Sequence, residues 1–423
     1  MVSLYGKTCW QTLIHPMTQK SVLYKKKIIK ELYFANNLSS SDISTRIHTS
    51  LPLVTKMLNV LMEEQVILET GYAPSTGGRR PLLYSLRPDI LYVVAVAMDQ
   101  LFSRIVIMDA QRRHVTAVKE IALPLVGNPR AAATLAENIN QWVLESGIPK
   151  EEIAGTGIGM PGFVDARNGM NYSFLETVGV PLTRYLTERT GIQTYIENDS
   201  SLIALAEFKF GVARNKRSAM VINLGWGIGL GMILNGEIFR GYNGFAGEFS
   251  HLPLFSNNKL CSCGKSGCLE TEASLLVVVG KAEEGIRNGR LTMLDQVLPA
   301  ENVDQACWAV ISAAEKGDKF AVELLSEAGY NIGRGVAILI HLLNPEAIIL
   351  SGRGSSAGKI WQTPIQQALN EHCIPRMAIN TGIEISTLGY DAELTGAAAL
   401  VMENYLRNEG AVLSMRKEVQ GHS

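Results

Sequence analysis

The chain has 423 residues, more than a single hydrophobic core absorbs, so two or three domains are expected. Its 39 glycines and few aromatics suit an α/β protein with many tight strand-to-helix turns. No apolar run approaches the roughly 20 residues that cross a bilayer and no secretory signal pattern opens the chain, so a cytoplasmic protein without membrane contact is expected.

The net charge of −1 conceals an asymmetry, because residues 1–90 carry 11 Lys and Arg against 6 Asp and Glu, and the remainder 28 against 34. A basic head on an acidic body points to nucleic acid. Apolar residues at helical spacing predict a first helix over Lys20–Phe34, broken by Asn36 and Asn37. Ser39 with Asp42 three residues on forms a capping box for a short helix over Ser40–Ile47. After a tight turn at His48–Ser50, with Ser50 as cap and Pro52 in the first turn, a longer helix runs from Leu51 to about Gln65. Val54, Met57, Leu58 and Leu61 form its inward face.

Short helix, turn, longer helix is the helix-turn-helix pattern, whose second helix enters the major groove of double-stranded DNA. On the outer face lie Leu51, Leu53, Thr55, Lys56 and Asn59. Asn59 suits adenine, the leucines a thymine methyl, and Lys56 a phosphate. Strands over Val66–Thr70 and Leu82–Leu86 flank GYAPSTGGRRP, a wing in which Gly77 and Gly78 present Arg79 and Arg80 to the DNA backbone. A three-helix protein-interaction module is the plainer alternative.

The body repeats strands followed by helices, which argues a layered α/β sheet structure. Strands are expected over Leu91–Met98, Ser103–Asp109, Val115–Ala122 and Ile153–Met160, with a helix over Arg130–Glu145. A comparable series follows over Ala219–Leu224, Ile228–Leu234, Glu237–Phe239 and Ala347–Ser351, with a long helix over Phe320–Leu343. The repetition suggests a duplicated, two-lobed body with ligands beyond the carboxyl ends of strands. His251, Cys261, Cys263 and Cys268 stand as H-x9-C-x-C-x4-C, the ligand set of a closed structural zinc site. Cys9, Cys307 and Cys373 are scattered, with no disulfide framework.

GEFSH-x9-CSCGKSGCLE, together with GIGMPGFVD, IENDS, LGWGIGLG and NPEAIILSGRG, resembles the ROK family of sugar kinases and sugar-responsive transcriptional repressors. The head ending in GGRRP is similar to the repressor branch. The resemblance implies a winged helix-turn-helix over 1–88 and an actin/hexokinase-like, ribonuclease H-like body. Its first lobe is expected over 89–197, joined by 388–423, and its second over 198–387. It also implies a monosaccharide pocket of Gly162, Asn198, Asp199, Glu248, His251 and Glu270, with Ser250 where the family usually has glycine, and a homodimer or homotetramer on an operator.

A family kinase needs Asp199 as base and a D-x-G-G-T phosphate loop after the first strand. Here that position reads Asp99-Gln100-Leu101-Phe102-Ser103, and Trp226 replaces the threonine of the second loop. The expected function is therefore a sugar-responsive regulator without catalysis, with an ATP-dependent sugar kinase as runner-up.

Overall fold

In the computed structural model, which describes residues 19–74, 80–177, 179–300 and 302–407, the Asp42 N–H donates to Ser39 Oγ at 3.2 Å and the Ser39 N–H to Asp42 Oδ2 at 3.0 Å. This reciprocal cap starts the helix Ser40–Arg46, which follows the helix Gln19–Ala35 and precedes the helix Leu51–Glu63. Ser50 occupies the N-cap of the last of these but makes no side-chain capping bond. The turn is closed instead by Ser44, whose hydroxyl donates to Thr49 O at 2.6 Å. Strands Ile67–Tyr72 and Leu82–Leu86 pair antiparallel, and Leu38–Ser39 adds a third short strand beside the latter.

Val54, Met57, Leu58 and Leu61 are buried with Ile28, Ile29 and Leu32 of the first helix. Lys25 is fully buried too, paired with Glu64. This unit extends to Leu91, three residues past the expected 88, and takes in 402–407, which were expected to join the first lobe of the body. The contacts explain why: Lys30 Nζ donates to the Glu403 carbonyl at 2.9 Å, and Lys26 lies over the ring of buried Tyr405.

The second unit, Tyr92–Val401, is built on two five-stranded sheets. One is ordered Thr194–Asn198, Ile153–Met160, Tyr92–Met98, Phe102–Asp109, Lys119–Ala122. The other is ordered Gly382–Ile385, Ala347–Ser351, Ala219–Leu224, Ile228–Leu234, Glu237–Phe239. In each, three consecutive strands form an antiparallel meander, a later strand adds in parallel beside its first member, and a still later one adds in parallel beside that strand. The duplication inferred from repeated strand runs is thus a repeated topology. The expected strand Val115–Ala122 shortens to Lys119–Ala122, because Thr116 turns its hydroxyl to accept the Ile107 N–H at 3.1 Å.

Between the sheets run two helices, Asp199–Lys209 and Ala392–Glu403. They approach through glycines: a methyl group on Gly231 would collide with Ser200 O and Ala204 Cβ, one on Gly396 with Leu202 O, and one on Gly157 with Ala397 O. Among the described residues no helix is long and apolar enough to cross a membrane.

Candidate functional site

A cleft of about 940 Å³ opens at the carboxyl ends of the central strands and is lined by every residue of the expected sugar pocket: Gly162, Asn198, Asp199, Glu248, His251 and Glu270. Asn198 ends a strand and caps the helix Asp199–Lys209, with Oδ1 accepting the Ser200 and Ser201 N–H groups at 3.1 Å each. Its Nδ2 donates to Gly162 O at 3.4 Å, so only that amide nitrogen is left to serve a ligand. Gly162 sits at φ +87°, and a Cβ there would strike Ser173, which fixes glycine at this position.

Asp199 Oδ1 accepts the Ser200 N–H at 2.7 Å, and burial pushes its pKa up to about 6. Glu270 accepts the Ile228 N–H at 3.0 Å and a hydrogen bond from Ser250, and burial raises its carboxyl to about 7. Burial likewise raises Glu248, against the opposing pull of His251. Three carboxyl groups and an amide on one wall form paired acceptors and donors suited to a ring of hydroxyls.

The ligand atoms of His251, Cys261, Cys263 and Cys268 lie within 4.8 Å of one another. The Sγ atoms of Cys263 and Cys268 are 3.7 Å apart, and Cys261 Sγ is 3.5 Å from His251 Nδ1. A tetrahedral ion with bonds of ~2.3 Å to sulfur gives edges of ~3.8 Å, so the four side chains fit a metal ion of that kind. Gly267, at φ +77°, brings the chain so close to Phe255 O that a Cβ would overlap it. The second imidazole nitrogen, Nε2, lies 3.6 Å from Glu248 Oε2. One ring therefore belongs to both the metal cluster and the cleft wall.

At the opposite end of the cleft, Asp99 and Trp226 are joined by groups that sequence reasoning passed over, Arg353, Asp304 and Glu393. In the turn after the first strand, Asp99 Oδ1 accepts the N–H groups of Leu101 at 2.8 Å and Phe102 at 2.7 Å. Trp226 Nε1 donates to Asp304 Oδ1 at 2.7 Å. Arg353 pairs with Asp99 at 3.1 Å and with Asp304, and its guanidinium lies over the rings of Trp226 and Tyr390. Glu393 Oε1 accepts the Met98 N–H at 3.2 Å, and burial pushes this carboxyl up to about 8, with the Asp199 charge adding to the effect. Arg353 stood inside the motif NPEAIILSGRG, quoted above only for the resemblance it carries; nothing local marks Asp304 or Glu393.

In the N-terminal unit, Leu51, Thr55, Lys56 and Asn59 are exposed on the helix Leu51–Glu63, and Leu53 is half-buried. The Thr55 hydroxyl donates to Leu51 O at 3.0 Å, which ties it to the helix. Arg80 is exposed; Arg79, Gly77 and Gly78 lie outside the described residues.

Two sheets of one topology around a carboxylate-lined cleft define an α/β protein of the kind shared by hexokinases and their regulatory relatives. The chain belongs to the ROK family, whose pattern matches residues 107–404. A xylose repressor from Caldicellulosiruptor bescii is 27% identical over 387 residues, covering 90% of this chain and 96% of that protein. A glucokinase from Halalkalibacterium halodurans is 34% identical over 258 residues, 60% of this chain and 78% of that protein. A crystal structure of a ROK family transcriptional regulator, described as a homolog of the E. coli MLC protein, superposes with a TM-score of 0.72 at 22% identity, covering 91% of this chain and 97% of its own.

Proposed function

We propose that this protein is a sugar-responsive transcriptional repressor of the cytoplasm, binding operator DNA as a homodimer or homotetramer through a winged helix-turn-helix and sensing a monosaccharide or derivative in the cleft. The carrying observation is the helix Leu51–Glu63, which buries Val54, Met57, Leu58 and Leu61 and exposes Leu51, Lys56 and Asn59, beside an antiparallel wing that leads to Arg80. The span of similarity supports it, since the xylose repressor matches 90% of the chain and the glucokinase 60%. Lys56, Arg79 and Arg80 supply charge for phosphates, and Asn59 a bidentate donor and acceptor for a base edge.

In this reading the cleft carboxylates bind sugar hydroxyls and Asp199 is a ligand for one of them. Phosphoryl transfer needs backbone N–H groups free to receive phosphate oxygens. Those of Leu101 and Phe102 are taken by Asp99 and that of Ile228 by Glu270, while Arg353 and Trp226 fill the space beside them. The kinase reading retains Asp199 and lacks the cradle. His251, Cys261, Cys263 and Cys268 would hold a structural zinc that orders the loop bearing Glu248 and Glu270.

A sugar releases the protein from DNA only to the extent that it binds the released state more tightly, by a few kcal/mol for a full switch. The test is selection of bound fragments from a genomic DNA pool, followed by operator titration with a panel of monosaccharides and their phosphates. A selected palindromic site released by one sugar is expected, with Asp199→Asn retaining the site and losing the release. Failure to select any DNA, or turnover of ATP with a hexose, overturns the proposal.

A further inference from the structure

The geometry points to a second sugar-ring subsite at the mouth of the cleft, built by Phe163, Phe245 and Tyr172, so that the preferred effector is a disaccharide. This rests on the sugar-sensing reading above and specifies its ligand class. Phe163 and Phe245 line the cleft, Phe163 directly after Gly162 and Phe245 three residues before Glu248. Their ring centroids are 5.2 Å apart with planes tilted 58°, and Tyr172 meets Phe245 edge-on at 5.9 Å. Phe163 is 45% and Tyr172 54% exposed, so these rings are not core packing.

Three clustered aromatic rings at a polar cleft, two exposed and Phe245 half-buried, leave apolar surface in water whose hydration cost a ligand would recover. Their support is fixed beforehand. The Phe163 N–H donates to Ser173 Oγ at 2.9 Å and the Tyr172 N–H to Phe163 O at 2.9 Å. Buried Asn171 ties the hairpin together, donating to Pro161 O at 3.1 Å and accepting from Ser173 N–H at 2.8 Å and Phe174 N–H at 3.1 Å. A platform already ordered binds without the entropy cost of assembling itself.

The chemistry of the two walls matches the two faces of a glycoside. A pyranose has a rim of hydroxyls and a face of C–H groups; carboxylates take the rim, and aromatic faces take the C–H face. A single ring held by Asp199, Glu248 and Glu270 leaves the neighbouring aromatics uncovered. A second ring joined at the mouth covers Phe163 and Phe245 while the first keeps its hydroxyl contacts.

The test is calorimetric titration of the full-length protein with glucose, xylose, mannose and N-acetylglucosamine, and with the α-1,4 and β-1,4 disaccharides of each. One disaccharide is expected to bind about tenfold or more tightly than its own monosaccharide. Phe163→Ala and Phe245→Ala should each remove most of that advantage and leave the monosaccharide Kd within about twofold. Phe163→Leu, which keeps apolar bulk but not the flat face, guards against misfolding and should behave alike. A disaccharide bound no more tightly than its monosaccharide, or an advantage that survives all three variants, overturns the subsite and leaves the sugar-sensing reading standing. Binding of neither sugar size overturns both.

Discussion

Arg353 Nη2 lies 3.1 Å from Asp99 Oδ2, joining the turn that leaves the first strand of one sheet to the loop that leaves Ala347–Ser351 in the other. Arg353 is 10% exposed, and Asp304 shares its guanidinium. Removing the shared cation strands two half-buried carboxylates, so Arg353→Ala should cost about 3 kcal/mol of stability by denaturant unfolding. It should not create ATP affinity, because the turn N–H groups remain bonded to Asp99. ATP binding by the variant, measured by calorimetry, would show that Arg353 alone had been barring the nucleotide.

Glu393 makes stability depend on pH. Its folded pKa of about 8 exceeds its ordinary value of 4.5, so the proton is held more tightly in the folded state. The contribution is fully present below about pH 4.5 and is lost as pH rises through about 8. The wild-type protein should lose about 3–4 kcal/mol between pH 5 and pH 8 from this group, and Glu393→Gln should flatten that slope. Parallel unfolding curves for both proteins across the range would contradict the assignment.

On DNA, Arg79 and Arg80 should act as phosphate contacts and Asn59 as a base reader. Replacing both arginines by alanine should flatten the salt dependence of operator affinity by about 1.8 in log–log slope, with equal loss on all sequences. Asn59→Ala should cost about 1–3 kcal/mol on the operator and little on random DNA. Unchanged salt slopes in a filter-binding series would remove the wing from the interface.

Metal removal should silence sensing before it abolishes DNA binding. His251 faces the Cys cluster through Nδ1 and Glu248 through Nε2, and Glu270 stands two residues from Cys268. Chelation followed by anisotropy on labelled operator should show retained binding and a lost sugar response, with Cys261→Ser behaving likewise. A sugar response that persists in protein shown to be metal-free would separate the cluster from the pocket.

Much of this site was legible because its parts are local patterns. The capping box at Ser39 and Asp42, the inward face Val54–Leu61 and the spacing of His251 with three cysteines each set a short-range geometry that the fold retains. Long-range partnerships were not legible. Arg353 meets Asp99 across 254 positions, and Glu393 reaches Met98 across 295. Lys25, one of the lysines that make the head basic, is fully buried because Glu64, 39 residues on, receives its charge. Periodicity reports which face of a helix is apolar, but not which charge finds a partner.

The glycines beneath the helix Asp199–Lys209 have a mechanical corollary. Gly229 and Gly231 admit Ser200 and Ala204 at backbone distance on one side, and Gly396 admits Leu202 on the other. With no slack on either flank, the helix behaves as a key seated in two wards. A shift of Asp199 at its tip would therefore have to be accommodated by the second sheet and the helix Ala392–Glu403 together, so a small displacement there has no purely local outlet.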